Sequence, residues 1–119
     1  MSPYLFIATS LGLFAAAHSN GEWRLQKHAL VNVPLTSVAV SENTVLVGTE
    51  NGIRRSTDQG ESWRDANVNL DIPHVRWIAG SVKLPEFFLV GTEPASIFVS
   101  PDRGKTWRDD PEVAVLQNT

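Results

Sequence analysis

Two aspartates, Asp58 and Asp102, stand in nearly the same company. One lies in Ser56-Thr57-Asp58-Gln59-Gly60-Glu61-Ser62-Trp63 and the other in Ser100-Pro101-Asp102-Arg103-Gly104-Lys105-Thr106-Trp107, so both stretches read S-x-D-x-G-x-[ST]-W. Acidic and polar, they look like sites for proton transfer. The same residue types also have a structural use. An Asp in a turn accepts hydrogen bonds from backbone N–H groups that a hairpin leaves unpaired. The Gly permits the positive φ of a tight turn, and the hydroxyls add local acceptors. The Trp folds under the turn, where burying about 200 Å² of indole is worth up to about 5 kcal/mol. On that expectation Trp63→Ala costs roughly 3–5 kcal/mol.

The other chemistry-bearing residues form no constellation. His18, His28 and His74 lie at unrelated places, none at a metal-ligand spacing from another or from a suitable carboxylate. The cluster Asp109-Asp110-Pro111-Glu112 reads as a solvated strand end rather than a paired acid and base. There is no G-x-S-x-G, P-loop or dinucleotide fingerprint. With no cysteine, the chain has no disulfide, thiolate zinc site or thiol nucleophile, a composition compatible with the cytoplasm. The expectation is therefore of no cofactor, no metal and no catalytic residue.

What must position these residues is a repeat. Trp23, Trp63 and Trp107 stand 40 and 44 residues apart and close similar stretches: "LFIATSLGLFAAAHSNGEW", "VLVGTENGIRRSTDQGESW" and "FLVGTEPASIFVSPDRGKTW". The first two align without a gap, Leu5 on Val45, Ile7 on Val47, Thr9 on Thr49 and Gly12 on Gly52. The third aligns through "VGTE" and then carries one extra residue near Pro94–Ser96. The apolar run over 4–17, which ends in Ala15-Ala16-Ala17, could pass for a secretory signal. It lacks a preceding Lys or Arg and matches a segment 40 residues downstream, so it reads as the first copy of the repeat.

Each copy is a series of short apolar runs, rich in β-branched and aromatic residues, between turn residues. Four runs per roughly 40 residues is the grammar of a β-propeller blade. Naming the strands of a blade A to D, the chain starts at strand B, which predicts eleven strands. The expected divisions are a partial blade over 1–33, a second over 34–72 and a third over 73–119. A helix is conceivable only in "SNGEWRLQKHALV", where Trp23, Leu25 and Leu30 share no clean face. The chain has 119 residues, 42% of them hydrophobic and 19% charged, as in an ordinary globular domain. A net charge of −3 without a Lys/Arg cluster offers nothing to nucleic acid. No apolar run reaches the roughly 18–20 residues of a membrane-spanning helix.

The two S-x-D-x-G-x-[ST]-W stretches resemble the Asp-box, or bacterial neuraminidase repeat, of propeller proteins such as sialidases, some glucanases, sortilin-type receptors and photosystem II assembly factors. The resemblance implies that Ser56, Asp58, Gly60, Trp63, Ser100, Asp102, Gly104 and Trp107 are fold elements on the face opposite the ligand site. In the first copy Ala16, His18 and Asn20 replace the Ser, Asp and Gly, leaving Trp23 in a degenerate box. A sialidase-type enzyme would need an arginine cluster and a tyrosine nucleophile. The only Tyr is Tyr4, and Arg24, Arg64 and Arg108 each follow a repeat Trp.

Because strands alternate in direction, B–C and D–A turns share one face and A–B and C–D turns the other. "GTE" recurs as Gly48-Thr49-Glu50 and Gly91-Thr92-Glu93 in the B–C turns. Glu50, Glu93, and His74 and Arg76 from a D–A connection, are thus the candidate binding face, for a protein or a small polar ligand such as a carbohydrate. A propeller closes with about four to eight blades. Nearly three blades call for the remaining blades of a longer parent, for self-association into a ring, or for an open array. The reading favoured is a non-enzymatic binding or assembly scaffold; the alternative is a fragment of a sialidase-like propeller enzyme.

Overall fold

The computed structural model describes residues 4–110. Among them every regular element is a strand, in three antiparallel sheets that each run as a simple meander. The first sheet holds β1 (Tyr4–Thr9), β2 (Gly12–Ser19) and β3 (Glu22–Ala29). The second holds β4 (Ser37–Ser41), β5 (Thr44–Thr49), β6 (Gly52–Ser56) and β7 (Arg64–Asp65). The third holds β8 (Val75–Gly80), β9 (Phe88–Thr92), β10 (Ile97–Ser100) and β11 (Arg108–Asp109). The eleven strands match the expected grammar, with the first sheet lacking the strand that β4 and β8 supply in the others. The segment weighed as a helix is β3. Among the described residues the sheets do not close into a ring, and the molecule is elongated, 52 × 31 × 24 Å.

The period of two along each strand explains the stacking. In β1, Phe6 points toward the second sheet, where it joins Leu13, Ala15, Val45 and Val47 in one core. In β5, Val45 and Val47 point back to that core, while Leu46 points forward into a second core with Ile53, Val75, Phe88, Val90, Phe98 and Trp107. Each inner strand therefore supplies both neighbouring cores, which is why β5 is buried along its whole length.

The last strand of the second and third sheets is only two residues long, against eight in β3. The difference lies in the turn that precedes it. β2 and β3 are joined by Asn20 and Gly21, both at positive φ (54° and 78°), the geometry that a two-residue hairpin demands. Their ladder runs in register through His18 opposite Trp23 and Ser19 opposite Glu22. The first copy is thus a plain hairpin rather than a degenerate version of the later loops. With Ala16 in place of Ser56 it has no hydroxyl to hold a loop open, and its backbone groups pair across the ladder instead.

Candidate functional site: the two ends of the sheets

The loops over 56–63 and 100–107 are built alike. Ser56 Oγ donates to Asp58 Oδ1 (2.7 Å) and accepts from the Gly60 N–H (2.8 Å). Asp58 in turn accepts from the Ser62 N–H (2.9 Å) and the Ser62 hydroxyl (2.5 Å). In the third sheet Ser100 Oγ donates to Asp102 (2.8 Å) and accepts from the Gly104 N–H (2.8 Å), while Thr106 donates to Asp102 through its N–H (2.9 Å) and hydroxyl (2.6 Å). Gly60 and Gly104 take positive φ of 89° and 85°.

These bonds set the acidity of both carboxyls. The hydroxyl of Ser62, then that of Ser56, then the Ser62 N–H hold Asp58 down from 3.8 to about 2. For Asp102 the largest influence, partial burial, works upward. The Thr106 hydroxyl and N–H and the Ser100 hydroxyl together outweigh it and lower the carboxyl below its ordinary value. A carboxylate held this low is a poor proton acceptor near neutral pH.

The tryptophans that close the loops differ in depth. Trp107 is buried, 2% exposed, and its indole N–H donates to the Ala66 carbonyl of the second sheet (2.9 Å). Trp63 is half-buried and donates to Gly60 within its own loop (3.1 Å). Trp23 is 57% exposed, with His18 tilted against it at 5.0 Å. The expectation that each ring is buried under its turn therefore holds for Trp107 alone. What buries the ring is the preceding sheet, against which Trp107 is hydrogen-bonded, and no preceding sheet covers Trp23 among the described residues.

Loops 56–63 and 100–107 share one end of the sheets with the β4–β5 and β8–β9 connections. Gln59 reaches Asn43 (3.2 Å), Arg103 pairs with Glu42 (2.7 Å), and the Arg103 N–H donates to Glu86 (2.8 Å). At the opposite end the β1–β2, β5–β6 and β9–β10 turns meet the connections between sheets. Leu35 N–H donates to Thr9 (2.9 Å), Thr36 N–H to Gly48 (2.8 Å), and Glu93 N–H to His74 (2.9 Å). The threonines build these turns: Thr9 and Thr49 each accept from the N–H two residues on and donate to Gly12 or Gly52. Thr92 donates to Pro94 instead, where the third copy carries its extra residue.

At this second end lies a cleft of about 290 Å³, lined by Val33, Pro34, Glu50, Asn51, Arg54, Asp65 and Asn67 among others. Glu50 is exposed at its rim. Arg54 faces Asp65 at 3.7 Å. Asn67 accepts from the Ile53 N–H (2.7 Å) and sits where a side chain on Gly52, at φ 119°, would go. Of the four residues expected here, Glu50 lines the cleft, whereas Glu93 and the half-buried His74 are joined through their backbones at the neighbouring turn. Arg76 does not lie in a connection: it is the exposed, bulged residue inside β8, where the register shifts between Val75 and Trp77. A bulge leaves its extra residue unpaired, and nothing in "PHVRW" announces one. Sequence reasoning missed Asn67 and Asp65, which come from the chain after β6 and are brought to the cleft only by the fold.

The histidines stay apart: His28 stacks on Phe14 (4.1 Å) and contacts the Leu11 carbonyl (2.8 Å), and His18 lies beside Trp23. Among the described residues no group of three His, Cys, Asp or Glu could hold a metal ion, and no helix is long and apolar enough to cross a membrane. Asp109 is exposed in β11 and the Asp110 N–H donates to Ile97 (3.1 Å). Pro111 and Glu112 of the acidic cluster lie outside the described residues.

Stacked meanders of three and four strands, with their turns sorted to two ends, define an all-β propeller segment with an open ring. No family model matches the chain, and no curated protein does. Among solved structures it is similar to YCF48 bound to a D1 peptide (TM-score 0.66, 19% identity, 89% of this chain and 36% of that one). YCF48 from Cyanidioschyzon merolae is also similar (TM-score 0.58, 15% identity, 99% and 41%). So is an ancestral GH74 enzyme (TM-score 0.68, 18% identity, 92% and 17%). At these identities the likeness is one of fold, and the chain spans less than half the length of each.

Proposed function

We propose that this chain is a non-enzymatic β-propeller module that binds a segment of a protein partner at the end carrying the β5–β6 and β9–β10 turns. The 56–63 and 100–107 loops are, on this reading, Asp-boxes that hold the fold at the other end. The observation that carries the proposal is the cleft between the β5–β6 turn and the chain around Asp65 and Asn67. It offers carboxylate, guanidinium and carboxamide groups within one hollow, the mixed donors and acceptors that an extended peptide backbone requires. The similarity to a propeller in complex with a peptide supports the class of partner.

The test is selection from a displayed peptide library, followed by calorimetry of the selected peptides on the wild type and on Glu50→Arg with Glu93→Arg. A loss of at least tenfold in affinity is expected from the double variant. Unchanged affinity removes this end as the site. The similarity to GH74 enzymes favours a second reading, a piece of a glycosidase propeller whose catalytic residues lie in other blades. Turnover of chromogenic glycosides by this chain would replace the first reading with the second.

A further inference from the structure

Among the described residues, the two outer faces of the stack are uncovered copies of its inner ones. Twice within the chain, the glycine of a loop sits on a forward-pointing residue of the preceding sheet. A side chain on Gly60 would meet the Phe6 ring at 3.3 Å, and one on Gly104 would meet Leu46 at 2.9 Å. Phe6 and Leu46 are 8% and 0% exposed as a result. The residue in the same register of the third sheet is Leu89, opposite Val99 in β10 as Leu46 is opposite Arg55 in β6. Leu89 is 40% exposed and opens with Ala79, Leu84 and Phe87 onto an apolar depression of about 250 Å³. The backward-pointing residues show the converse. Val45 and Val47 are fully buried, as are Phe88 and Val90, but their equivalents in β1, Leu5 and Ile7, are 51% and 39% exposed. Trp23 and Leu25 on β3 add to that face at 57% and 64%.

The outer face of the third sheet is shaped by Trp77. Gly48 in the second sheet is covered by Ser37 of its own sheet and by Val75 from the first strand of the next. Its equivalent Gly91 is covered by the chain's own Trp77, whose ring lies where a side chain on Gly91 would go. A sheet that stacks on the third one therefore meets the Trp77 ring where Val75 meets Gly48.

We propose that the open face of the third sheet, centred on Leu89 and Trp77, docks the open face of the first sheet of a second copy, centred on Leu5, Ile7 and Trp23. The contact is heterologous: each copy offers both faces and uses them on different neighbours. It continues the stacking that joins the three sheets within the chain. Trp23 then takes the role that Trp63 plays beside Gly60 and Phe6, and lies against Leu89 where the first copy has no loop glycine to offer.

The heterologous geometry gives a test by complementation. Leu89→Asp spoils one face and Ile7→Asp the other, and both side chains are solvent-accessible in the isolated chain, so each variant keeps its fold by circular dichroism. Sedimentation equilibrium over about 1–200 μM reads the association. The wild type is expected to form dimers or larger species, and each variant alone to associate at least tenfold more weakly. Their equimolar mixture is expected to recover a one-to-one pair, because one intact face remains on each partner. A wild type that stays monomeric overturns the proposal and leaves the faces to blades of another chain. Variants that still associate, or a mixture that fails to pair, overturn it in favour of other surfaces.

Discussion

Asp58 and Asp102 carry the most informative local chemistry in the chain. Because its own loop holds the Asp58 carboxyl at about 2 rather than 3.8, the ionised form is favoured by folding. The associated stability is present above pH 3.8 and is lost as pH falls through about 2. Ser62→Ala removes the hydroxyl that contributes most. The Asp58 carboxyl should then titrate higher by carboxyl-detected NMR, and the variant should be destabilised at pH 6 but much less at pH 2 by urea unfolding. Equal destabilisation at both pH values would mean that the hydroxyl acts through packing and not through the carboxylate. The tryptophans call for different magnitudes at equivalent positions. Trp107→Ala opens a buried cavity and orphans the Ala66 carbonyl, and is expected to cost roughly 3–5 kcal/mol. Trp63→Ala at a half-buried site should cost about 1–3 kcal/mol, and Trp23→Ala under about 1 kcal/mol in the monomer. Urea melts of the three variants would check the order. The spacing of the three Trp residues made the repeat legible, but their depth depends on the neighbouring sheet, which spacing does not report.

At the level of elements, the loops differ from the plain hairpin in how much a glycine is needed. Gly21, Gly60 and Gly104 all sit at positive φ, which costs an L-residue about 1–2 kcal/mol. A side chain on Gly21 meets open space, one on Gly60 touches the Phe6 ring, and one on Gly104 runs into Leu46 at 2.9 Å. Substitution by Ala is therefore expected to cost about 1 kcal/mol at Gly21, about 1–2 at Gly60 and about 2–3 at Gly104. Thermal melts that failed to rank them in this order would count against the stacking of the loops on the preceding sheets. Strand existence was readable from "TVLVGT" and "SIFVS", whose β-branched runs sit between turn residues. The β2–β3 hairpin departs from the degenerate box that alignment on Trp23 suggests, because "SNGE" closes a two-residue turn by itself. Arg76 likewise lies in a strand and not in a turn, since a bulge moves a residue between the two without leaving a mark in composition.

On the scale of the whole molecule, registration between sheets decides what a residue is worth. Leu46 and Leu89 are equivalent in the repeat, yet one lies under Gly104 and the other faces solvent. Leu46→Ala should cost about 2–5 kcal/mol, and Leu89→Ala under about 1 kcal/mol in the monomer; similar losses at both sites would contradict the open face. The candidate binding end was only partly legible. Glu50 could be placed by the "GTE" repeat, but Asp65 reaches the cleft from the two-residue strand β7 and Asn67 from the connection after it, whose course no periodicity encodes. One feature of the sheets bears on how the protein stays out of aggregates. The outermost strands β7 and β11 offer an intruding chain only a two-residue edge, too little ladder to template growth. Of the edges formed by the last strand of each sheet, the eight-residue one of β3 is the longest, and it carries Glu22, Arg24 and Lys27. Fibril formation, if provoked by mild denaturation, should therefore begin at the first sheet, with those charges as the gatekeepers against it.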